Sequence, residues 1–369
     1  MTRFIVSASV ALLAATPMQP ASGNWNLATG NWELLNRYES VEPHMGTLVK
    51  ITVYSRGEEE ARRAFRAGFD RIGELDAILS DYRPDSELNR LTAGEVGTPR
   101  AVSRDLFVVL SAAQELAEQT QGAFDVTMGP VIRIWREARK LNRLPDPGAL
   151  AAAAGRTGYR KLHLDRERQR VTLDRRDMAL DVGGNAKGYA ASEALAAIGS
   201  LGVRSAMVAI SGDLAFSDAP PGTRGWRIAV HDLPAGQADV PAVLDLTNAA
   251  VSTAGPAEQH LDVNGRRYSH IIDPSSRMGL TDDLTVTVVA TTGLAADGLD
   301  TAISVLGVER GLALIEKRQD AVALLIRKTL SGVEVVTSSR FPGGSNRLMK
   351  QSPVSREKGK GTREKRSFR

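Results

Sequence analysis

No cysteine occurs anywhere in the 369 residues. Its absence excludes disulfide staples, thiolate metal sites, a cysteine nucleophile and a lipid-modified N-terminal cysteine, and leaves the compartment to other signals. A membrane-spanning run is missing too. The most apolar stretch follows Arg3 and covers about a dozen residues to Ala15, short of the roughly 20 that a spanning helix needs. With one basic residue before it and Pro17, Pro20, Ala21 and Gly23 after it, that stretch reads as an export signal over residues 1–23, which implies a periplasmic location. There is no repeat with a solenoid period. Nor is there basic character in the body of the chain. The pI is about 9.3 and the net charge +4, yet residues 347–369 hold nine Lys/Arg against two Glu, a net +7, which leaves −3 for everything else. This Gly/Ser/Lys/Arg-rich tail lacks the apolar residues needed to fold and is expected to be disordered. A solubilising role explains it most simply, a peripheral contact with anionic membrane is open to it, and nucleic acid is not an expected partner.

The remainder has ordinary soluble, globular composition, 42% apolar and 24% charged, and is long enough for one large or two intimately packed domains. Its most informative segment is Asp181-Val-Gly-Gly-Asn-Ala-Lys-Gly188, a glycine-rich turn between an apolar run (Met178, Ala179, Leu180) and an alanine-rich helix. Backbone N–H groups at a helix start carry partial positive charge, glycines let phosphates approach the main chain, and Lys187 adds a full charge. Plain turn chemistry would use the same residues. Far downstream, Ala296-Asp297-Gly-Leu-Asp300-Thr301 opens another helix, where spacings of three and four put Asp297, Asp300 and Thr301 on one face. Those oxygens suit Mg²⁺, which is held by one or two carboxylates together with a substrate's phosphates; capping of the helix is the alternative.

Periodicity outlines the fold. Val49, Ile51 and Val53 alternate as in a half-buried strand over 46–54, and apolar spacing predicts an amphipathic helix over 58–79. A loop follows over 80–89, broken by Pro84, and Ser103 caps a second helix that closes at Gly122. Residues 144–158 read as a connection plus a short helix. Beyond them come short β-like runs at 163–164, 171–173, 206–210, 226–230, 250–252, 268–272, 284–290, 321–326 and 333–336, with helices at 187–198, 294–306 and 309–317. Asn264-Gly265 and Ser331-Gly332 favour hairpins, hence antiparallel pairing. The class is α+β, with mixed or antiparallel sheets packed against helices and a weakly marked subdivision near residue 145.

Four further segments complete a pattern: Met45-Gly46-Thr47; the loop containing Tyr82; Gly122-Ala123-Phe124-Asp125-Val126-Thr127 with Trp135 after it; and Tyr268-Ser-His270-Ile271-Ile272-Asp273-Pro274. In this order, with the two segments above, they resemble the ApbE-type FAD:protein FMN transferases over about residues 42–336. The resemblance implies an ApbE-like, T-fold-like architecture over residues 40–345. It implies a Mg²⁺-dependent enzyme that cleaves the pyrophosphate of FAD, releases AMP and leaves FMN as a phosphoester on a Thr, sometimes Ser, of an exported or membrane-bound redox protein. By the same resemblance Met45, Tyr82, Ala123, Phe124, Asp125, Asp181, Lys187, His270, Ile271 and Ile272 contact FAD, and Gly184, through its carbonyl, with Asp297, Asp300 and Thr301 surrounds the metal.

The residue types agree with that chemistry. Charge that builds on phosphoryl oxygens and on departing AMP is met by Mg²⁺, Lys187 and backbone N–H groups. His270 is the candidate base for the acceptor hydroxyl, since an unperturbed imidazole titrates near neutrality; a structural hydrogen-bonding role is the alternative. Tyr82 is placed to stack on an isoalloxazine or adenine ring, Phe124 and Trp135 are equally at home in a core, and Asp125 with Thr127 either bonds adenine or caps a turn. Three departures from the family pattern stand out: Ser275-Ser276-Arg277-Met278-Gly279 where a Thr-Gly pair is usual, Ser211-Gly212-Asp213 where two glycines are common, and Thr253-Ala254-Gly255 where Thr-Ser-Gly is common. An FAD pyrophosphatase, with water as acceptor, and a non-catalytic FAD-binding accessory protein are the competing readings.

Overall fold

A computed structural model of the chain describes residues 35–230, 233, 240–256, 259–329, 332–342 and 349–350. The export signal over 1–23 and all of the basic tail except residues 349–350 lie outside the described residues. The first half carries β1 (Asn36–His44), β2 (Thr47–Ser55), α1 (Glu58–Leu79), α2 (Glu87–Thr92), β3 (Arg100–Ala101), α3 (Arg104–Gln119), α4 (Gly129–Lys140), α5 (Pro147–Ala154), β4 (Leu162–Asp165) and β5 (Arg170–Leu173). Then come α6 (Ala186–Ser200), β6 (Ser205–Ile210), β7 (Asp213–Phe216), β8 (Trp226–Ala229), β9 (Val243–Leu246), β10 (Ala249–Ala254), β11 (His260–Val263) and β12 (Arg266–Ser269). The chain continues through β13 (Asp283–Ala290), α7 (Gly293–Ile315), β14 (Ala321–Thr329), β15 (Gly332–Thr337) and β16 (Met349–Lys350).

Nine strands form one sheet in the order β1-β2-β6-β7-β10-β13-β14-β15-β16, and every pairing among the described strands is antiparallel. Alternation sorts its side chains onto two faces. Val49, Ile51, Val53, Val208, Ile210, Val286, Val288, Ala323 and Leu325 point into the main core with α1, α3, α6 and α7. On the other face Leu324, Ile326 and Val335 pack with Leu244, and Met207, Phe216 and Val251 with Trp226, so the β8–β9 hairpin covers what the helices do not. A smaller core joins α4 and α5 to the β11–β12 hairpin through Val131, Trp135, Leu150, Leu261, Tyr268 and Ile272.

This arrangement crosses residue 145. β2 pairs with β6 in register Val49↔Ile210, and α4 and α5, on either side of residue 145, share the smaller core, so the subdivision considered there does not separate two bodies of structure. Local chemistry sets most ends as expected. Ser103 Oγ accepts from the Leu106 N–H at 3.3 Å, Asp146 caps α5 ahead of Pro147, and three glutamates occupy the first turn of α1, where the helix dipole favours them. Three boundaries differ. The loop expected over 80–89 ends early because Ser86 caps α2; the β-run expected over 268–272 stops at Ser269; and Met349 and Lys350, inside the tail expected to be disordered, pair with β15. The two helices expected over 294–306 and 309–317 abut through Gly307, whose φ of 74° interrupts α7.

The closest approach in the molecule that bears on the site is between α6 and α7. A Cβ placed on Gly188 would lie 2.1 Å from the Gly293 carbonyl oxygen, and one on Gly293 would lie 2.0 Å from that of Gly188. Backbone lies against backbone, with no flexible side chain to yield. Gly188→Ala is therefore expected to lose about 2–3 kcal/mol of stability in denaturant unfolding, as overpacked sites do; a loss below about 0.5 kcal/mol would show that the helices can separate freely.

Candidate active site

The Gly188–Gly293 contact brings the two downstream sequence motifs together. Asp297, one turn into α7, accepts the Gly188 N–H at 2.9 Å. A Cβ on Gly184 would lie 3.3 Å from Thr301 Oγ1 and 3.2 Å from the Phe124 ring, so the glycine turn, the α7 hydroxyl and the aromatic of the 122–127 segment adjoin. Lys187 Nζ pairs with Asp213 at 3.1 Å, Asp213 Oδ1 meets Ser252 Oγ at 2.5 Å, and that hydroxyl also meets Asp300 Oδ2 at 2.6 Å. β7 and β10 supply Asp213 and Ser252, α6 supplies Lys187, and α7 supplies the remaining carboxylates. One hydroxyl hydrogen cannot serve two carboxylates, so the close contact with Asp300 favours a proton on that acid. Burial, followed by Asp297 and Asp213, pushes Asp300 well above the ordinary carboxylate range.

The loop spends several backbone donors on its own shape. The Gly183 N–H goes to Asp181 Oδ1 at 2.8 Å, those of Asn185 and Ala186 to the Val182 carbonyl, and that of Gly188 to Asp297. A phosphate arriving here would therefore depend on Lys187 and on a cation more than the glycine pattern alone indicates.

Asp181 itself is anchored away from solvent. Arg136 on α4 donates to Asp181 Oδ2 at 2.7 Å and to Asp81, and its guanidinium lies 4.2 Å from the centre of the Tyr82 ring. Tyr82 is 73% exposed, an open aromatic face backed by a cation. Asp125 caps the turn after α3: one oxygen accepts from the Thr127 N–H and hydroxyl and the other from the Tyr159 N–H, while burial raises its pKa. The structure thus shows the turn-capping bonds for Asp125. Ala123 lies in the same turn, its N–H donated to Thr120 O. Met45 and Gly46 form the two-residue β1–β2 turn, both in left-handed backbone at φ 49° and 74°, as a type I′ hairpin demands, and the Met45 side chain packs on the main core.

His270 follows the end of β12. Its Nδ1 lies 3.1 Å from the Gln259 carbonyl oxygen; a carbonyl only accepts, so Nδ1 carries the hydrogen and Nε2 keeps its lone pair. Burial, and then Lys187 and Arg139, push the imidazole down to about 4. Ile271 and Ile272 are buried behind it. The following turn keeps its shape despite Arg277: this residue sits at φ 61°, which explains why glycine suits the position, and its carbonyl accepts from Trp135 Nε1 at 2.8 Å. Ser211 occupies a left-handed position in the same way, at φ 57°. Beside this turn lies a cavity of roughly 280 Å³ bordered by Arg266, Tyr268, Asp273 and Ser276; another of roughly 350 Å³, bordered by Gly94, Arg100 and Arg175, includes none of the expected FAD contacts.

Residue-level reading missed Asp213, Ser252, Asp81, Arg136 and Arg139. The signal for Asp213 and Ser252 was present, a polar residue at an inward position of a buried strand. Arg136 carries no local signal, because its acidic partners are 45 and 55 positions away.

Among the described residues no group of three or more His, Asp or Glu forms a metal cage. A divalent ion here would need the mixed donors of Asp297, Asp300, Thr301 and the Gly184 backbone. They suit a hard cation, since three buried carboxylates, Asp213, Asp297 and Asp300, have Lys187 as their cationic neighbour and repel one another.

Known proteins resemble this chain in both sequence and fold. The family model described as ApbE family matches residues 45–326. An FAD:protein FMN transferase of Haemophilus influenzae is 32% identical over 277 residues, 73% of this chain and 80% of the relative; one of Vibrio cholerae is 32% identical over 304 residues, 81% and 90%. Among solved structures, the flavin transferase ApbE from Vibrio cholerae superposes with TM-score 0.75 at 30% identity, covering 83% of this chain and 98% of that one. The apo flavinyl transferase ApbE of Pseudomonas stutzeri gives 0.71 at 28% identity, covering 84% and 98%.

The environment of His270 makes a direct prediction. Its imidazole is expected to titrate near 4 in the ligand-free protein, neutral throughout the physiological range. An NMR titration of the ring protons should show it; a midpoint near 6.5 would mean that the imidazole is solvated and apart from Lys187 and Arg139.

Proposed function

The chain belongs to the ApbE family and is an FAD:protein FMN transferase, and from that premise we propose that it moves FMN from FAD to a Thr or Ser hydroxyl of an exported or membrane-bound redox protein, with Mg²⁺ and with AMP as second product. The acceptor oxygen bonds to the flavin-side phosphorus, the bond from that phosphorus to the bridging oxygen breaks with its electrons going to AMP, and the hydroxyl proton is released. The single observation that carries the reading is the meeting of the glycine turn with the carboxylates of α7 at Gly188.

Each residue has a task that follows from its surroundings. Asp297, Asp300, Thr301 and Gly184 would hold Mg²⁺, which supplies charge neutralisation at the phosphoryl oxygens. Lys187, oriented by Asp213, would face the diphosphate. Tyr82 offers an aromatic face to a ring of FAD, with Arg136 fixing its far side. Nε2 of His270, unprotonated in the tautomer set by Gln259, can accept the hydroxyl hydrogen, though with a pKa near 4 it is a weak base and its main effect is to orient the hydroxyl. Work outside the cytoplasm is proposed from the signal-like residues 1–23 alone.

Mass spectrometry tests the reading. With FAD, Mg²⁺ and a peptide carrying an acceptor Thr, the peptide should gain one FMN; release of FMN and AMP with the peptide unchanged would make the chain a pyrophosphatase instead.

Asp300 gives a second test. Its raised pKa means that the metal-free folded state binds a proton which the unfolded state has released at neutral pH, so metal-free stability should increase as pH falls from neutrality toward the unfolded value near 4. Asp300→Asn removes that penalty. Thermal unfolding at pH 7 should show the metal-free variant at or above wild-type stability, with no rise on adding Mg²⁺ and transfer down at least about 100-fold, the scale of losing transition-state charge stabilisation. A Mg²⁺-dependent rise equal to the wild type would remove Asp300 from the metal site.

A further inference from the structure

Helix α4 is strongly two-sided. Val131, Trp135 and Ala138 are buried, the first two in the smaller core, while Arg133, Arg136 and Arg139, spaced by three, share the opposite side. Arg136 shows where that side looks: its guanidinium reaches Asp81, Asp181 and the Tyr82 ring, which belong to the site. The charge of Arg136 is fully matched by these two carboxylates. Arg139, one turn further on, is only partly exposed, and among the described residues its side chain makes no hydrogen bond or ion pair.

A half-buried guanidinium without an acceptor is costly, and its neighbours make it more so. Burial and then Arg136 work against its charged form. It also acts on His270 together with Lys187, so the imidazole feels two cations, one on α4 and one on α6. The space next to His270 therefore expects negative charge.

We propose that Arg139 is a substrate-binding residue that holds a phosphoryl oxygen of the FAD diphosphate together with Lys187. The proposal rests on the flavin-transfer reading and adds a residue to it. The isoalloxazine, ribityl, ribose and adenine portions of FAD are neutral at pH 7, so its phosphates are the groups that can satisfy a guanidinium. Arg is suited to that contact by its planar fork of donors. Lys187 already has Asp213 as a partner, which leaves Arg139 as a cation whose charge is not offset by a carboxylate in the described structure.

The test compares ligands with and without phosphate. Dissociation constants for FAD and for riboflavin are measured by flavin fluorescence on wild type, Arg139→Met, Arg139→Lys and, as a control on the same helix side, the exposed Arg133→Met. Arg139→Met should weaken FAD binding about 10- to 100-fold, the worth of a hydrogen bond to a charged group, and leave riboflavin binding within about twofold. Arg139→Lys should recover part of the loss, and Arg133→Met should bind both as the wild type does. FAD affinity unchanged in Arg139→Met overturns the proposal, and does so also if the KM for the acceptor peptide rises, since that result makes Arg139 a docking residue for the acceptor. Equal weakening of FAD and riboflavin overturns it as well, as a sign of lost packing. Because binding is read without turnover, a wild-type protein that binds FAD but modifies no acceptor would sink the flavin-transfer reading separately.

Discussion

Two glycines, Gly188 on α6 and Gly293 on α7, let two helix backbones touch where any side chain would hold them apart. Everything else at the site depends on that contact. It allows Asp297 to take the Gly188 N–H, and so binds the α7 carboxylates to the turn that precedes α6. It also sets Thr301 beside Gly184 and Phe124. Such close approach is a rigid constraint, because packed backbones have no rotamer with which to relax.

The contact creates an electrostatic problem whose resolution is the function. Asp213, Asp297 and Asp300 are all buried, with Ser252 shared between two of them and Lys187 as their cationic neighbour. In water such a cluster would disperse; here the fold holds it, and Asp300 answers by favouring its protonated form. In the proposed reaction a divalent cation would take the place of that proton. So loaded, the site would present positive charge to a diphosphate, with Lys187 close by. At the start of the glycine turn stands a second set of charges, in which Arg136 ties Asp81 to Asp181 and supports Tyr82. In the proposed reaction one side would serve the phosphates and the other the rings of FAD.

Much of this was legible in the sequence because it is local. The strand at 47–55, the helix at 58–79 with its apolar stripe, the Ser103 cap and the Asn264-Gly265 hairpin follow from periods and turn chemistry that a few neighbouring residues decide. The pairing of the glycine turn with Asp297, Asp300 and Thr301 was legible only as a pattern of motifs in order, since 109 residues separate Gly188 from Asp297. What could not be read was who pairs with whom. Asp213, Ser252 and Arg136 acquire their roles from partners on other elements; a polar residue at an inward strand position marks the first two as unusual but does not say what they pair with. The Ser275–Gly279 departure is instructive in the opposite sense. A left-handed turn favours glycine, but Arg277 adopts φ 61° there and is held by Trp135, so the turn persists with a larger residue.

The central claim, that one cation bridges the α7 carboxylates and a diphosphate lying over the glycine turn, is tested most directly by diffraction from crystals soaked with FAD and Mn²⁺, using the anomalous signal to place the ion. The account predicts one ion with oxygen ligands from Asp297, Asp300 or Thr301 at about 2.0–2.2 Å and a diphosphate oxygen in the same coordination shell. An ion and a diphosphate bound at separate places, or an ion that touches nothing between residues 297 and 301, would contradict it.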